Sequence, residues 1–219
     1  DPKEYLNKCI KFSDSLEVID EKYLKEISKE KKKILKLGFI SADFRNHPVS
    51  SLLLELVKRL DNKKFETYGF SNTQKNQYDT QTEKYKKVFN NWSDISEMKD
   101  VDVINAIRSN GINVLIHLGG LFDRSRLMVI KNRVAPVQIS WMNISTTGVK
   151  NMDYLIADKN LIKKNEEKMY SEKIVYMPTI WNIHSGFKKK NLINNFREIR
   201  SDKEITFGSF NNFDKISDK

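Results

Sequence analysis

The stretch Leu37–Ser51, LGFISADFRNHPVSS, constrains this chain more than any other, because an apolar run halts there at a polar turn and restarts as a helix. Leu35, Leu37, Phe39 and Ile40 read as a buried strand. Pro48 with Ser50 and Ser51 reads as the first turn of a helix ending near Leu60. Asp43, Asn46 and His47 therefore sit between the carboxyl end of a strand and the amino end of a helix. In open α/β sheets ligands bind in that crevice, where backbone N–H groups and the helix dipole converge.

The same pattern recurs along the chain. Phe65–Ser71, a short piece around Phe89 and Trp92, Val114–Leu118, Val137–Met142, Tyr154–Ala157 and Ile174–Met177 all read as strands. Val114–Leu118 is uninterrupted apolar sequence closed by Gly119 and Gly120, as expected of a strand buried on both faces. Helices are predicted over residues 78–87 and 101–108, the latter ending at Gly111 in the left-handed conformation. Strands separated by connections of about ten residues or more suit parallel crossovers, so the fold class is α/β with a doubly wound parallel sheet.

At the amino end, Asp1 caps a short helix with Pro2 in its first turn and Tyr5, Leu6, Cys9 and Ile10 along one face. A second amphipathic piece, residues 19–27, leads into a basic run, Lys29–Lys33. This gives a helical lead-in and linker over residues 1–33, a main domain over 34–179, and a basic, aperiodic linker over 180–203. A second α/β domain opens at 204–219 with the apolar run EITFGSFN. Both ends look cut, and the chain reads as a fragment.

Of 219 residues only one is cysteine, which excludes an internal disulfide and suits a reducing compartment. No run approaches the ~18 apolar residues of a membrane span and no signal peptide opens the chain, so a cytoplasmic protein without membrane contact is expected. The net charge of +10 is mostly lysine scattered along the chain. Scattered charge of that kind is a solvated surface rather than a nucleic-acid patch.

The candidate chemistry is sparse. His47 lies between Asn46 and Pro48, so its ring is aimed by a stiff turn; it suits acid–base work or a hydrogen bond to a sugar or phosphate, or simply caps the helix. Asp43, four residues earlier, either orients His47 and takes a proton or is an ordinary turn aspartate. His117, inside an apolar strand, reads as a satisfied core histidine, and His184 carries no signal. Three dispersed histidines and one cysteine match no metal-ligand spacing. Arg124, Arg126 and Arg133 form a basic cluster suited to a phosphate or an acidic peptide, or to a helix surface. Lys215 follows a strand-to-turn junction where an ammonium can meet a phosphate.

Taken together, LGFISADFRNHPVS, GINVLIHLGGLFDRSRLMVIKNRVAPVQISW, TTGVKNMDY, SEKIVYMP and ITFGSFNNFDKIS resemble the catalytic region of the protein O-GlcNAc transferases of the SPINDLY type. The resemblance covers residues 34–219. It implies the N-terminal, Rossmann-like half of a GT-B glycosyltransferase, which builds the acceptor side, and the start of the nucleotide-sugar half. It implies tetratricopeptide repeats upstream in the parent chain, protein acceptors, UDP-GlcNAc as donor, and no cofactor or metal. Carried over residue by residue, Asp43 matches the aspartate proposed to help carry away the acceptor's proton, and His47 matches the histidine beside the sugar and pyrophosphate. Lys215 matches the lysine on the donor diphosphate and Asn212 a neighbouring nucleotide contact. Met142, Asn143 and Thr147 fall in the loop that helps line the sugar pocket. The implied reaction is inverting and metal-independent.

Two departures stand out. The loop after Trp141 is one residue shorter than the family's usual L-G-Y-P-G-T-T-G and lacks its proline, and Leu121 and Phe122 replace the usual His or Tyr and Thr. They motivate the alternative of a catalytically impaired relative acting as a protein-binding module.

Overall fold

A computed structural model describes residues 1–19, 34–121, 124–143, 145–182 and 208. The chain divides into two units, Asp1–Gly186 and Phe187–Lys219. The expected second-domain strand at 204–211, the basic run Lys29–Lys33, residues 183–203 of the second linker, and the candidates His184, Asn212 and Lys215 lie outside the described residues, Gly208 apart.

Seven strands are described: β1 (Leu35–Ser41), β2 (Phe65–Ser71), β3 (Asn91–Asp94), β4 (Val114–His117), β5 (Val137–Ser140), β6 (Tyr154–Ala157) and β7 (Lys173–Tyr176). They form one sheet in the order β3-β2-β1-β4-β5-β6-β7, every pair parallel. This is the doubly wound, Rossmann-like arrangement expected from the strand spacing. The direction of winding reverses between β1 and β4, which are paired from Leu37↔Val114 to Ile40↔His117.

The helices are α1 (Pro2–Ser15), α2 (Pro48–Arg59), α3 (Thr80–Val88), α4 (Asp100–Ser109) and α5 (Leu127–Lys131). Alternation along β1 sorts them. Leu37 and Phe39 point into a core shared with Leu53, Leu54, Tyr85 and Phe89 of the α2–α3 side, while Ile40 packs with Ile104, Ile107 and Ile130 of the α4–α5 side. The first core is aromatic: the Phe44 ring lies 4.9 Å from Tyr85 and 5.4 Å from Trp92. Burying apolar side chains on both faces stabilises the sheet by roughly 1.5–3 kcal/mol per large residue.

Several expectations shift. The α1 face is buried at Cys9 and Ser13, with Tyr5 left 45% exposed, because the helix is seated at Cys9 and Ile10, whose backbone lies against Gly148. Phe89 follows α3 and β3 starts at Asn91. The turn after Gly120 contains α5, which no sequence signal announced: its N-cap is Arg126, in the left-handed conformation and without a side-chain capping bond. Gly111 does take positive φ, +63°. Among the described residues no helix is long and apolar enough to cross a membrane.

Candidate active site

The turn after β1 is held from three sides before any ligand is considered. Ser41 Oγ accepts the Asp43 N–H at 2.9 Å, Thr73 Oγ1 accepts the Phe44 N–H at 3.2 Å, and Asp79 accepts the Asn46 N–H at 2.7 Å. Ser50 Oγ donates back to the Arg45 carbonyl. Asp79 also caps α3 through the Gln81 and Thr82 N–H groups. Burial works to raise its carboxyl, but the donated N–H groups outweigh that and hold it below its ordinary value. The turn is thus tied to the next strand and the next helix, which pre-orients whatever it presents.

It presents Asp43 and His47. His47 is the N-cap of α2, with extended backbone and Nδ1 accepting the Val49 N–H at 3.4 Å, ahead of Pro48. Asp43 Oδ2 stands 3.7 Å from the same Nδ1, and Asp43 Oδ1 accepts from Arg45 Nη2 at 3.1 Å. In the neutral ring the Val49 contact puts the proton on Nε2; in the charged ring Nδ1–H faces the carboxylate. The cap thus uses one nitrogen of the ring and leaves its functional role to be tested.

Both residues line a cleft of about 530 Å³ with Ala42, Leu118, Gly119, Arg124 and Met142. Its walls come from the carboxyl ends of β1 and β4, so it opens at the sheet's topological switch point, where α/β sheets bind ligands. Met142 reaches it in the left-handed conformation, φ +60°.

The other two loop candidates face inward. Asn143 is 3% exposed and its amide donates to the Ser145 carbonyl at 2.7 Å. It fills the space over Gly120, where an added Cβ would come within 2.4 Å of it. Thr147 is fully buried, and its N–H and hydroxyl both bond Glu172 Oε1 while Thr146 Oγ1 bonds Oε2 at 2.8 Å. That buried carboxylate fixes the shortened loop. Asn143 and Thr147 are thus brought together with Glu172 and Gly120, not with Asp43 and His47.

The basic cluster separates likewise. Arg126 pairs with Asp100 at 2.5 Å and donates to the Ile95 carbonyl, and Arg133 pairs with Asp153 through both terminal nitrogens. Both are structural. Arg124 alone of the three lines the cleft, and the Gln74 amide oxygen, in the orientation that suits its neighbours, accepts from it at 2.7 Å. Among the described residues no three His, Cys, Asp or Glu side chains gather as a metal site.

His117 lies in the core as expected, yet only half satisfied: Nε2 meets the Ser125 carbonyl at 2.6 Å and Nδ1 has no partner. Burial pushes its pKa down to about 4, against which the Ser125 contact works weakly. The unfolded chain takes up a proton near pH 6.5 that the folded ring refuses, so this contribution to stability is complete above pH 6.5 and is lost as pH falls towards 4. Denaturant unfolding should show about 2 kcal/mol less stability at pH 5 than at pH 7 from this ring, at ~1.4 kcal/mol per unit. His117→Leu should flatten the slope; an unchanged slope would assign it to other groups.

With the site described, comparison with known proteins decides the lineage. The family model of glycosyl transferase family 41 matches residues 4–211. The chain belongs to this family. It is similar to a probable UDP-N-acetylglucosamine–peptide N-acetylglucosaminyltransferase, SEC, of Arabidopsis thaliana, at 28% identity over 73% of this chain and 16% of that protein. The corresponding SPINDLY protein of Solanum lycopersicum is 27% identical over 88% of this chain and 21% of that one. Among solved structures, an O-GlcNAc transferase mutant of Thermobaculum terrenum superposes with a TM-score of 0.76 at 25% identity, over 83% of this chain and 35% of that one. This family 41 chain therefore spans about a fifth of the length of the curated relatives it matches.

Proposed function

We propose that this chain is the acceptor-side half of a protein O-GlcNAc transferase, which moves N-acetylglucosamine from UDP-GlcNAc to Ser or Thr hydroxyls of proteins. The observation that carries the reading is the Asp43–His47 pair, 3.7 Å apart at a helix amino end, lining a cleft at the switch point of a family 41 sheet. The relatives' names favour a transferase over the binding-module alternative.

The reaction proposed is inverting and metal-independent. The acceptor oxygen attacks the anomeric carbon, the bond to the diphosphate oxygen breaks, and its electron pair leaves with UDP. Asp43, whose second oxygen is turned towards His47, receives the acceptor's proton directly or through a water as the new bond forms. His47, carrying its proton on Nε2, donates to a sugar or diphosphate oxygen. Charge growing on the departing diphosphate falls to Lys215, with Asn212 beside it; both assignments rest on the motif ITFGSFNNFDKIS alone. Upstream tetratricopeptide repeats and a cytoplasmic setting belong to the same proposal.

The test is transfer of radiolabelled N-acetylglucosamine from UDP-GlcNAc to protein by the enzyme that carries this chain. Lys215→Ala is expected to lower transfer at least 10²-fold, the usual scale for removing one stabiliser of a developing anion. Full activity in that variant removes the role given to Lys215. Calorimetric absence of UDP binding by the unaltered protein would instead favour the binding module.

A further inference from the structure

Arg124 differs from Arg126 and Arg133 in what its guanidinium meets and not in its backbone, since all three take positive φ, +60°, +55° and +45°. Its backbone is held at φ +60°, a conformation that costs a residue with a Cβ about 1–2 kcal/mol. What holds it there is Asn72, whose amide donates to the Arg124 carbonyl at 2.7 Å and accepts from Arg126 Nε at 3.1 Å. A turn clamped by the residue that follows β2 fixes where this side chain leaves the backbone. Strain of this kind persists where the surroundings over-determine it; Arg126 and Arg133 carry it too and are taken by Asp100 and Asp153, so a guanidinium without a carboxylate among the described residues, not the backbone, sets Arg124 apart.

Arg124 also lines three adjoining cavities. One is the cleft of Asp43 and His47; the second, about 310 Å³, lies beside Gln74, Lys75 and Glu97. The third, about 560 Å³, is bounded by Phe12 and Leu16 of the α1 region, Leu121 and the Arg126–Asp100 pair. Together they make a trough along the carboxyl edge of the sheet, from the reacting groups to an apolar end where Phe12 is 53% exposed. A trough of that form suits an extended chain better than a compact sugar nucleotide.

The charges in the trough do not cancel. Asp43 is taken by Arg45, Glu97 by Lys75 at 2.7 Å and Asp100 by Arg126, so each carboxylate that lines it already has a cation. Arg124 meets no carboxylate among the described residues and is shared only with the neutral Gln74 amide. An anionic group on the occupant completes the set.

We propose that Arg124 selects acceptors, binding the carboxylate of an Asp or Glu near the target hydroxyl in an extended peptide whose apolar side chain continues into the Phe12–Leu16–Leu121 pocket. This rests on the transferase reading and adds to it the class of acceptor. Arg124 and Asp43 line the same cleft, so the acidic residue is expected within a few positions of the hydroxyl at ~3.3 Å per extended residue.

The test uses two sets of Ser peptides, with Ala or with Glu at positions two and three on either side, and the unaltered enzyme, Arg124→Ala and Arg124→Lys. Transfer and fluorescence-anisotropy binding are both measured, and melting temperatures are compared to verify folding. Unaltered enzyme should favour one Glu peptide about tenfold, the scale of one charge-assisted hydrogen bond at a half-exposed site. The ratio should fall towards one in Arg124→Ala and return in part in Arg124→Lys. An unchanged ratio overturns the proposal, as does a rise in KM for UDP-GlcNAc that is equal for all peptides, which would give the guanidinium to the donor. If the unaltered enzyme transfers to no peptide, the transferase reading fails, and the binding ratio alone still decides whether Arg124 reads an acidic chain.

Discussion

His47→Ala and His47→Asn should both lower transfer by 10²–10³-fold, while only the alanine variant loses stability. The ring caps α2, the proposed function gives it a second job, and the pair of variants separates the two. As N-cap of α2 it accepts the Val49 N–H, and removing a cap costs about 1 kcal/mol. Asparagine is among the best capping residues, so His47→Asn keeps that bond and the start of the helix ahead of Pro48. What asparagine cannot supply is an imidazole 3.7 Å from the Asp43 carboxylate, the group to which the proposed function gives the proton donated to the sugar or diphosphate. Loss of one such donor or acid–base group is worth the stated factor. Rates come from the sugar-transfer assay and stabilities from urea unfolding. An asparagine variant with near-full activity would mean that the imidazole only caps.

Gly148→Ala is expected to destabilise the fold by about 3 kcal/mol or more, whereas Gly111→Ala, at nearly the same φ, should cost only about 1 kcal/mol. Gly148 sits at φ +69° and Gly111 at φ +63°, so the backbone penalty is shared. Their surroundings differ. A Cβ at Gly111 meets nothing within 4 Å, while one at Gly148 would lie 2.4 Å from the Cys9 carbonyl carbon and 2.6 Å from the Ile10 nitrogen. Those are backbone atoms of α1, so no rotamer change relieves the clash. Either α1 lifts off or the loop held by Glu172 moves, and both uncover side chains such as Cys9 and Val149 that are now buried. Equal losses at the two glycines, read from urea midpoints, would show that α1 is not seated on this loop.

Much of this could be read from the chain itself. Residues that form parallel strands are buried on two faces, so LKLGFIS, VLIH and VQIS announce themselves as mostly apolar runs ending at polar turns, and their spacing announces a parallel sheet, while the strand order came from the structure. Asp43 and His47 were legible for a related reason: four residues across one turn, with a proline to fix the exit, leave little freedom for the two side chains to be far apart.

Roles that depend on distant partners were not legible. Arg124, Arg126 and Arg133 look alike in sequence. Only folding brings Asp100 to the second, 26 positions away, and Asp153 to the third, leaving the first facing the cleft. The resemblance implies that Thr147 lines a sugar pocket, yet Glu172, 25 residues on, turns it inward. The short α5 escaped because nothing local caps it; its conformation is imposed by contacts of Arg126 with Asn72, Ile95 and Asp100. The sequence alone thus determined which segments bury their surface and where the polar turns after them fall, since burial and turn chemistry are written in neighbouring residues. Tertiary structure decided which charged side chains remain free to meet a ligand, because an ion pair is settled by distance in space and not by separation along the chain.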